Sequence, residues 1–365
     1  MEKSFEEIFE EILKDDTKES TNIWKEKLLH TEKPIVLFGA GSLGNSMAGR
    51  LYLWGVKPTC FCDNFKTGID REYQLPIISF DCLKENHKDS YIIISLGMEN
   101  VNSVMGQLLD AGFHEENIVS RIWMEEKLSK DYVVEHYQDY KWVYDNLEDD
   151  ISKEILVEKI QYCLYYYEIQ NKYKQYSDMY FDEDIIILSD HEVYIDGGAY
   201  TGDTVMEFMN RTDNNYKEIY LFEPDKKNYK KLIENCNKID RINIINKGLW
   251  SRENELKFSS NIGANCSVKE LGNISISVTS LDSILIKTEA QPTFIKYDIE
   301  GSEYEALMGA RNVIANYKPR LAICVYHKPE DLYEIPKLIK DLNPLYKLFL
   351  RHYSNANVDT VCYAI

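Results

Sequence analysis

Two runs in this 365-residue chain combine residue types and spacings that suit ligand chemistry. The stronger is EVYIDGGAYTGDT. Asp196 ends an apolar strand, Gly197 and Gly198 let the backbone approach a ligand, and Gly202 opens a helix whose first amides face whatever is bound. A phosphate loop would end in Gly-Lys-Ser/Thr, and no dinucleotide GxGxxG occurs here, so Asp196 points to a ligand that is not an anion. Glu223, in FEPD, follows the glycine turn by about 20 residues, the register from which an acid hydrogen-bonds a ribose diol. The glycines alone are compatible with an ordinary tight turn; with Glu223 in register they suit a cationic adenosyl compound.

The second run is FGAGSLG. Gly39, Gly41 and Gly44 satisfy GxGxxG after the strand PIVLF and before a helix, and Asp63 ends the next strand about 19 residues later. By spacing this is a dinucleotide fingerprint. Its unit spans only about 90 residues, with no evident catalytic acid or hydride-acceptor domain. A docking site for a nucleotide or nucleotide sugar, a true NAD site and a vestigial scaffold all remain open.

These runs need strand ends to carry them. Short apolar runs alternate with helical stretches from Pro34 to about Trp123, as in a small parallel α/β sheet. From Glu192, five strand–helix steps end in YKLFLRHYS and VDTVCYAI, two strands without a helix between them and therefore antiparallel. Between the sheets, the tyrosine-rich run ISKEILVEKIQYCLYYYEIQNKY predicts a helical connector, with a few tyrosines as candidates to line a cleft. Phe5, Ile8, Phe9, Ile12 and Leu13 recur at helical spacing, so the chain opens with an amphipathic docking helix. The expected organisation is an N-terminal helix over 1–32, a Rossmann-like α/β domain over 33–123, a connector over 124–190 and a doubly wound α/β domain over 191–365.

DGGAYTGDT, LFEPD, NKGLWS, TSLDSIL, FIKYDIEGSEYEALMGA and RHYS…DTVCYAI, in this order and at these separations, resemble the FkbM family of S-adenosylmethionine-dependent methyltransferases. The resemblance covers 192–365. It implies a class I methyltransferase-like sheet with an antiparallel C-terminal hairpin, and methyl transfer to an oxygen, usually on a sugar or secondary metabolite. It also implies a cofactor site at Asp196, Gly198, Ala199 and Gly202, with Glu223 on the ribose; Gly197, Tyr200, Thr201, Pro224, Lys247 and Gly248 complete the expected set. Gly197 stands where the family has an apolar residue, and Tyr200-Thr201 where it has Asn-Ile, so a side-chain contact from position 200 is not carried over. Asp298, Glu300 and Glu303 correspond to the fourth-strand motif.

A hydroxyl is a poor nucleophile until a base takes its proton. Asp298 and Glu300 follow the fourth strand and His327 ends the fifth, so a carboxylate and an imidazole flank one acceptor. Either Asp298 or His327 is the expected base, or Asp298 orients the other. The structural alternatives are a helix-capping role for His327 and an acidic first turn for Glu300 and Glu303, with Glu303 the more structural.

Composition sets the limits. The net charge of −19 repels polyanions, which argues against a nucleic-acid partner. No apolar run is long enough to span a membrane, and the acidic start MEKSFEEIFEEILKDD lacks a leader's basic and apolar regions, which predicts a cytoplasmic protein. Eight cysteines without a CxxC pair predict reduced core residues and no structural metal. Asp298, Glu300 and His327 are all possible ligands, so a catalytic metal is the competing account to base catalysis; activity is expected to survive exhaustive chelation. The acceptor is expected to be a small molecule or glycan, possibly nucleotide-linked, bearing a hydroxyl or, second, an amine; oligomeric state is not readable. Rival functions are an NAD-dependent oxidoreductase working through Gly39–Asp63 and a non-catalytic adenosylmethionine-binding scaffold.

Overall fold

The computed structural model describes residues 3–14, 20–120, 128–165, 176–258, 274–288, 290–354 and 358–365. The N-terminal sheet contains β1 (Ile35–Phe38), β2 (Cys60–Cys62), β3 (Gly68–Ile69), β4 (Pro76–Ile78), β5 (Tyr91–Ile94) and β6 (Ile118–Ser120) in the order β3-β4-β2-β1-β5-β6. All its pairings are parallel except β3 with β4. IVLF and YIII are buried at every position, which explains why they are continuously apolar rather than alternating.

The C-terminal half contains β7 (Val193–Gly197), β8 (Glu218–Phe222), β9 (Ile242–Ile245), β10 (Gly248–Leu249), β11 (Asn254–Phe258), β12 (Ile274–Thr279), β13 (Phe294–Tyr297), β14 (Arg320–Cys324), β15 (Leu348–His352) and β16 (Thr360–Ala364). Seven of these form one sheet in the order β15-β16-β14-β13-β7-β8-β9. The last strand inserts between β14 and β15, antiparallel to both, so the expected hairpin is present. Strand order reverses between β7 and β13, and this opens a crevice at their carboxyl ends. Gly248 and Leu249 within NKGLW, with β11 and β12 of the stretch that follows, form a separate small sheet in the order β10-β12-β11.

The connector forms helices Lys130–Glu135, Tyr137–Asn146 and Asp150–Tyr165; the remainder of its tyrosine-rich run, 166–175, lies outside the described residues. Arg351 on β15 anchors it, at 2.7 Å from Asp149 Oδ2, and Ser152 Oγ accepts from Leu350 N at 2.9 Å. The opening helix Phe5–Lys14 docks where its spacing predicts. Phe5, Phe9 and Ile12 are buried, and Phe5 and Phe9 pack on Tyr137 at ring distances of 5.8 and 4.8 Å. The next helix, Ser20–Leu29, gives Leu28 to the core of the N-terminal sheet. Thus these two helices serve two separate cores. Seven described cysteines are free; Cys266 lies outside the described residues.

Candidate active site

The turn after β7 is held by backbone and by buried charge. Gly198 has φ +78°, and a Cβ there would run into the carbonyl of Asp298, so only glycine lets the ends of β7 and β13 approach this closely. Asp196 is fully buried, and its Oδ1 lies 2.9 Å from Lys296 Nζ, which also donates to the carbonyls of Gly198 at 3.0 Å and Gly197 at 3.3 Å. Asp196 therefore braces the turn from beneath rather than lining the cavity. Its signal in the sequence, an acid ending an apolar strand, is the same for either role.

Glu223 lines the cavity from the end of β8. Its Oε2 accepts from Tyr200 N and its Oε1 from Asp225 N, both at 2.9 Å, which leaves each oxygen a lone pair for a further donor. Burial pushes its pKa up to about 7, the carboxylates of Asp225 and Asp196 add to this, and the two amides oppose it. The cavity, about 670 Å³, runs from Glu223 to Asp298 and Glu300. Leu249, Leu256, Ile276 and Val278 of the small sheet form an apolar wall beside Glu223.

At the other end Asp298 is a hub. Its Oδ2 accepts from Tyr180 OH at 2.7 Å and its Oδ1 from Tyr326 OH at 3.1 Å. Burial alone would raise its pKa, but Lys296, His327 and the two phenols outweigh it and hold it below the usual carboxylate range. His327 Nε2 lies 3.4 Å from Asp298 Oδ1 and 3.6 Å from Glu300 Oε2, and Nδ1 lies 3.1 Å from Glu303 Oε1. Burial disfavours its cation, but Glu303, Asp298 and Glu300 outweigh that and push its pKa up to about 9. Glu300 stands at φ +57° with its side chain 53% exposed, and burial of the carboxyl raises its pKa. Glu303 is fully buried and accepts from Ile299 N at 2.8 Å, so it shapes the turn.

The expected residues thus divide by position. Gly198, Tyr200, Glu223, Pro224, Gly248, Asp298 and Glu300 face the cavity. Gly197 is packed under Leu249 and Tyr297, Ala199 is buried, Lys247 pairs with Glu253, and His327 stands behind the carboxylates. Tyr180, Lys296, Tyr326 and the small-sheet wall were not singled out in the sequence. Only the tyrosine richness before β7 hinted at Tyr180.

In the N-terminal sheet, Gly39 has φ +117°, and a Cβ on Gly44 would meet the Gly39 carbonyl, whereas nothing lies within 4 Å of a Cβ on Gly41. Asp63, expected on a ribose, accepts from Ala40 N at 2.9 Å and from Phe65 N at 2.9 Å. Its carboxylate closes the turn itself, a structural task with the same spacing. Phe65 is 95% exposed and does not plug the crevice.

Residues 196–346 match the family model described as the methyltransferase FkbM domain. No curated protein matches the chain. Its fold is similar to the crystal structure of methyltransferase FkbM from Methylobacillus flagellatus KT: 22% identity, a TM-score of 0.74, and coverage of 99% of this chain and 98% of that one. Fibrillarin from Aeropyrum pernix, crystallised with natively bound S-adenosyl-L-methionine, is 13% identical over 53% of this chain and 76% of its own, with a TM-score of 0.35. An rRNA methylase from Streptococcus thermophilus is 12% identical over 49% and 87%, with a TM-score of 0.33. Among the described residues no helix is long and apolar enough to cross a membrane.

Proposed function

We propose that this chain, whose residues 196–346 match the FkbM methyltransferase domain, transfers the methyl group of S-adenosylmethionine to a hydroxyl of a sugar, glycan building block or secondary metabolite. The observation that carries the proposal is one cavity joining Glu223 to Asp298 and Glu300. The residues fit the cofactor: a carboxylate with spare lone pairs suits a ribose diol, and the small-sheet wall suits a purine face. Asp203, Glu207, Glu223, Asp225, Asp298 and Glu300 line the cavity against one ammonium, Lys296, which is committed to Asp196. That field favours a ligand carrying a sulfonium and an ammonium.

Bound there, adenosylmethionine supplies an electrophilic methyl group. The chain supplies position, dryness and a proton acceptor. Met179, Tyr180 and Phe181 cover the cavity from the segment before β7 and limit water at the reacting oxygen. Tyr180 and Tyr326 fix both oxygens of Asp298, which orients the acceptor by accepting its hydrogen bond. Glu300 faces the same space with a raised pKa and takes the hydroxyl proton. His327, charged near neutral pH and outside the cavity lining, steadies the two carboxylates instead of acting as the base. The carboxylate excess also favours a second acceptor class, an amine on a similar compound.

Calorimetry with adenosylmethionine, adenosylhomocysteine, NAD and a nucleotide sugar tests this reading. Binding of the first two, with loss of that binding in Glu223→Ala, is expected. Binding of NAD alone would make the chain an oxidoreductase.

A further inference from the structure

Behind the cavity wall, side chains from the ends of β13 and β14 converge on one buried point. One donor atom from each of Asp298, Glu303 and His327 lies within 4.8 Å of the other two. Glu303 is fully buried and the His327 side chain is 7% exposed. Within that burial Glu303 Oε2 has no hydrogen-bond partner, while Oε1 of the same carboxylate faces His327 Nδ1 at 3.1 Å. A buried polar atom left unpaired costs about 1 to 3 kcal/mol, more when charged, so this carboxylate oxygen calls for an explanation. The charge balance points the same way. Asp298, Glu300 and Glu303 surround a single imidazole at 3.4, 3.6 and 3.1 Å, and the nearby Lys296 is taken by Asp196.

We propose that Asp298, Glu303 and His327 hold a divalent first-row cation of the Mn²⁺ or Zn²⁺ kind. One imidazole with two carboxylates selects these over Mg²⁺ and Ca²⁺, which prefer oxygen alone. Donors at about 2.1 Å from a tetrahedral cation lie about 3.4 Å apart, so side-chain movements of about 1 Å draw the three atoms, within 4.8 Å of one another, onto one ion. The outer supports are in place: Ile299 N donates to Glu303 Oε1 at 2.8 Å, and Tyr326 OH to Asp298 Oδ1 at 3.1 Å. The cation ties β14 to the turn after β13, where Glu300 and Gly301 have φ of +57° and +86°, and so fixes the aim of Glu300 into the cavity. This departs from the sequence expectation of no metal; on binding, the ion displaces the proton that His327 carries in the metal-free protein and takes over its steadying of the carboxylates.

The test strips the full-length protein with a chelator and titrates it with Mn²⁺, read by electron paramagnetic resonance of the free ion, and with Zn²⁺, read by calorimetry. A single saturable site that raises the melting temperature is expected. In Glu303→Gln and His327→Ala, affinity should fall by more than the about 10- to 100-fold that loss of an outer support costs. Since Glu303 is buried, circular dichroism checks each variant's fold, and the wild-type titration decides by itself. Stripped wild type that takes up neither ion overturns the proposal, and so does equal uptake by folded variants. Adenosylmethionine calorimetry on the same stripped samples separates this result from the fate of the methyltransferase reading.

Discussion

Replacing Glu223 by alanine removes the one carboxylate placed to accept from a ribose diol while also holding the turn after β7. In the free protein its oxygens take the amides of Tyr200 and Asp225, each at 2.9 Å. A charge-assisted hydrogen bond is worth about 1.5 to 3 kcal/mol, so the loss should weaken adenosylmethionine about 10- to 100-fold. Glu223→Gln, which keeps the shape but presents an amide NH₂ where an acceptor is needed, should fall in the same range. The pH dependence carries a second signature. With a pKa near 7 the carboxyl is increasingly neutral below that value, and only the ionised form accepts from both hydroxyls. Cofactor affinity should therefore drop by about tenfold per unit as pH falls below 7, with proton release on binding, and Glu223→Gln should abolish that slope. For the free protein the linkage has the opposite sign. A folded pKa raised above the unfolded one contributes stability below the ordinary carboxyl range that is lost as pH rises through 7. Calorimetry between about pH 5.5 and 8.5, roughly three units spanning the transition, measures both effects. Wild-type affinity in Glu223→Ala, or a slope that survives in Glu223→Gln, would refute the assignment.

Three further outcomes are expected. Glu300→Gln should lower turnover about 100- to 10,000-fold with adenosylmethionine affinity nearly unchanged, since its side chain is half exposed and supports little of the fold; single-turnover methyl transfer checks this. Gly41→Val places a side chain in open space at the N-terminal fingerprint, so the protein should fold normally and keep its cofactor affinity; a raised KM for a nucleotide-linked acceptor would mark that sheet as its docking site, and an unchanged KM would mark it as scaffold. Arg351→Ala leaves the fully buried Asp182 and its neighbour Asp149 without their guanidinium, and should cost about 3 kcal/mol, read as a fall in melting temperature.

The elements were legible where one physical cause dominates. IVLF and YIII are apolar throughout because both faces are covered, and the helical spacing of Phe5, Phe9 and Ile12 marked a docking face. What the helix docks on was not legible, because an apolar stripe does not name its partner. Motifs proved legible as places and less so as roles. Asp196 and Asp63 both stand where spacing puts a ligand contact, yet one is spent on Lys296 and the other on backbone amides. Glu223 and Glu300 do reach the cavity. Tyr180 and Lys296 went unnoticed because their roles arise from tertiary approach: Tyr180 meets Asp298 across 118 residues and Lys296 meets Asp196 across 100. The small sheet was hidden because its strands alternate with polar residues in a stretch without strong apolar runs.

The most direct test of the central claim is a crystal structure of the full chain with S-adenosylhomocysteine. The ligand is expected in the cavity between β7 and β13, its ribose hydroxyls on Glu223, its purine against Leu249 and Val278, and its sulfur facing Asp298 and Glu300. Ligand found instead at Gly41, or this cavity left empty at saturating concentration, would contradict it.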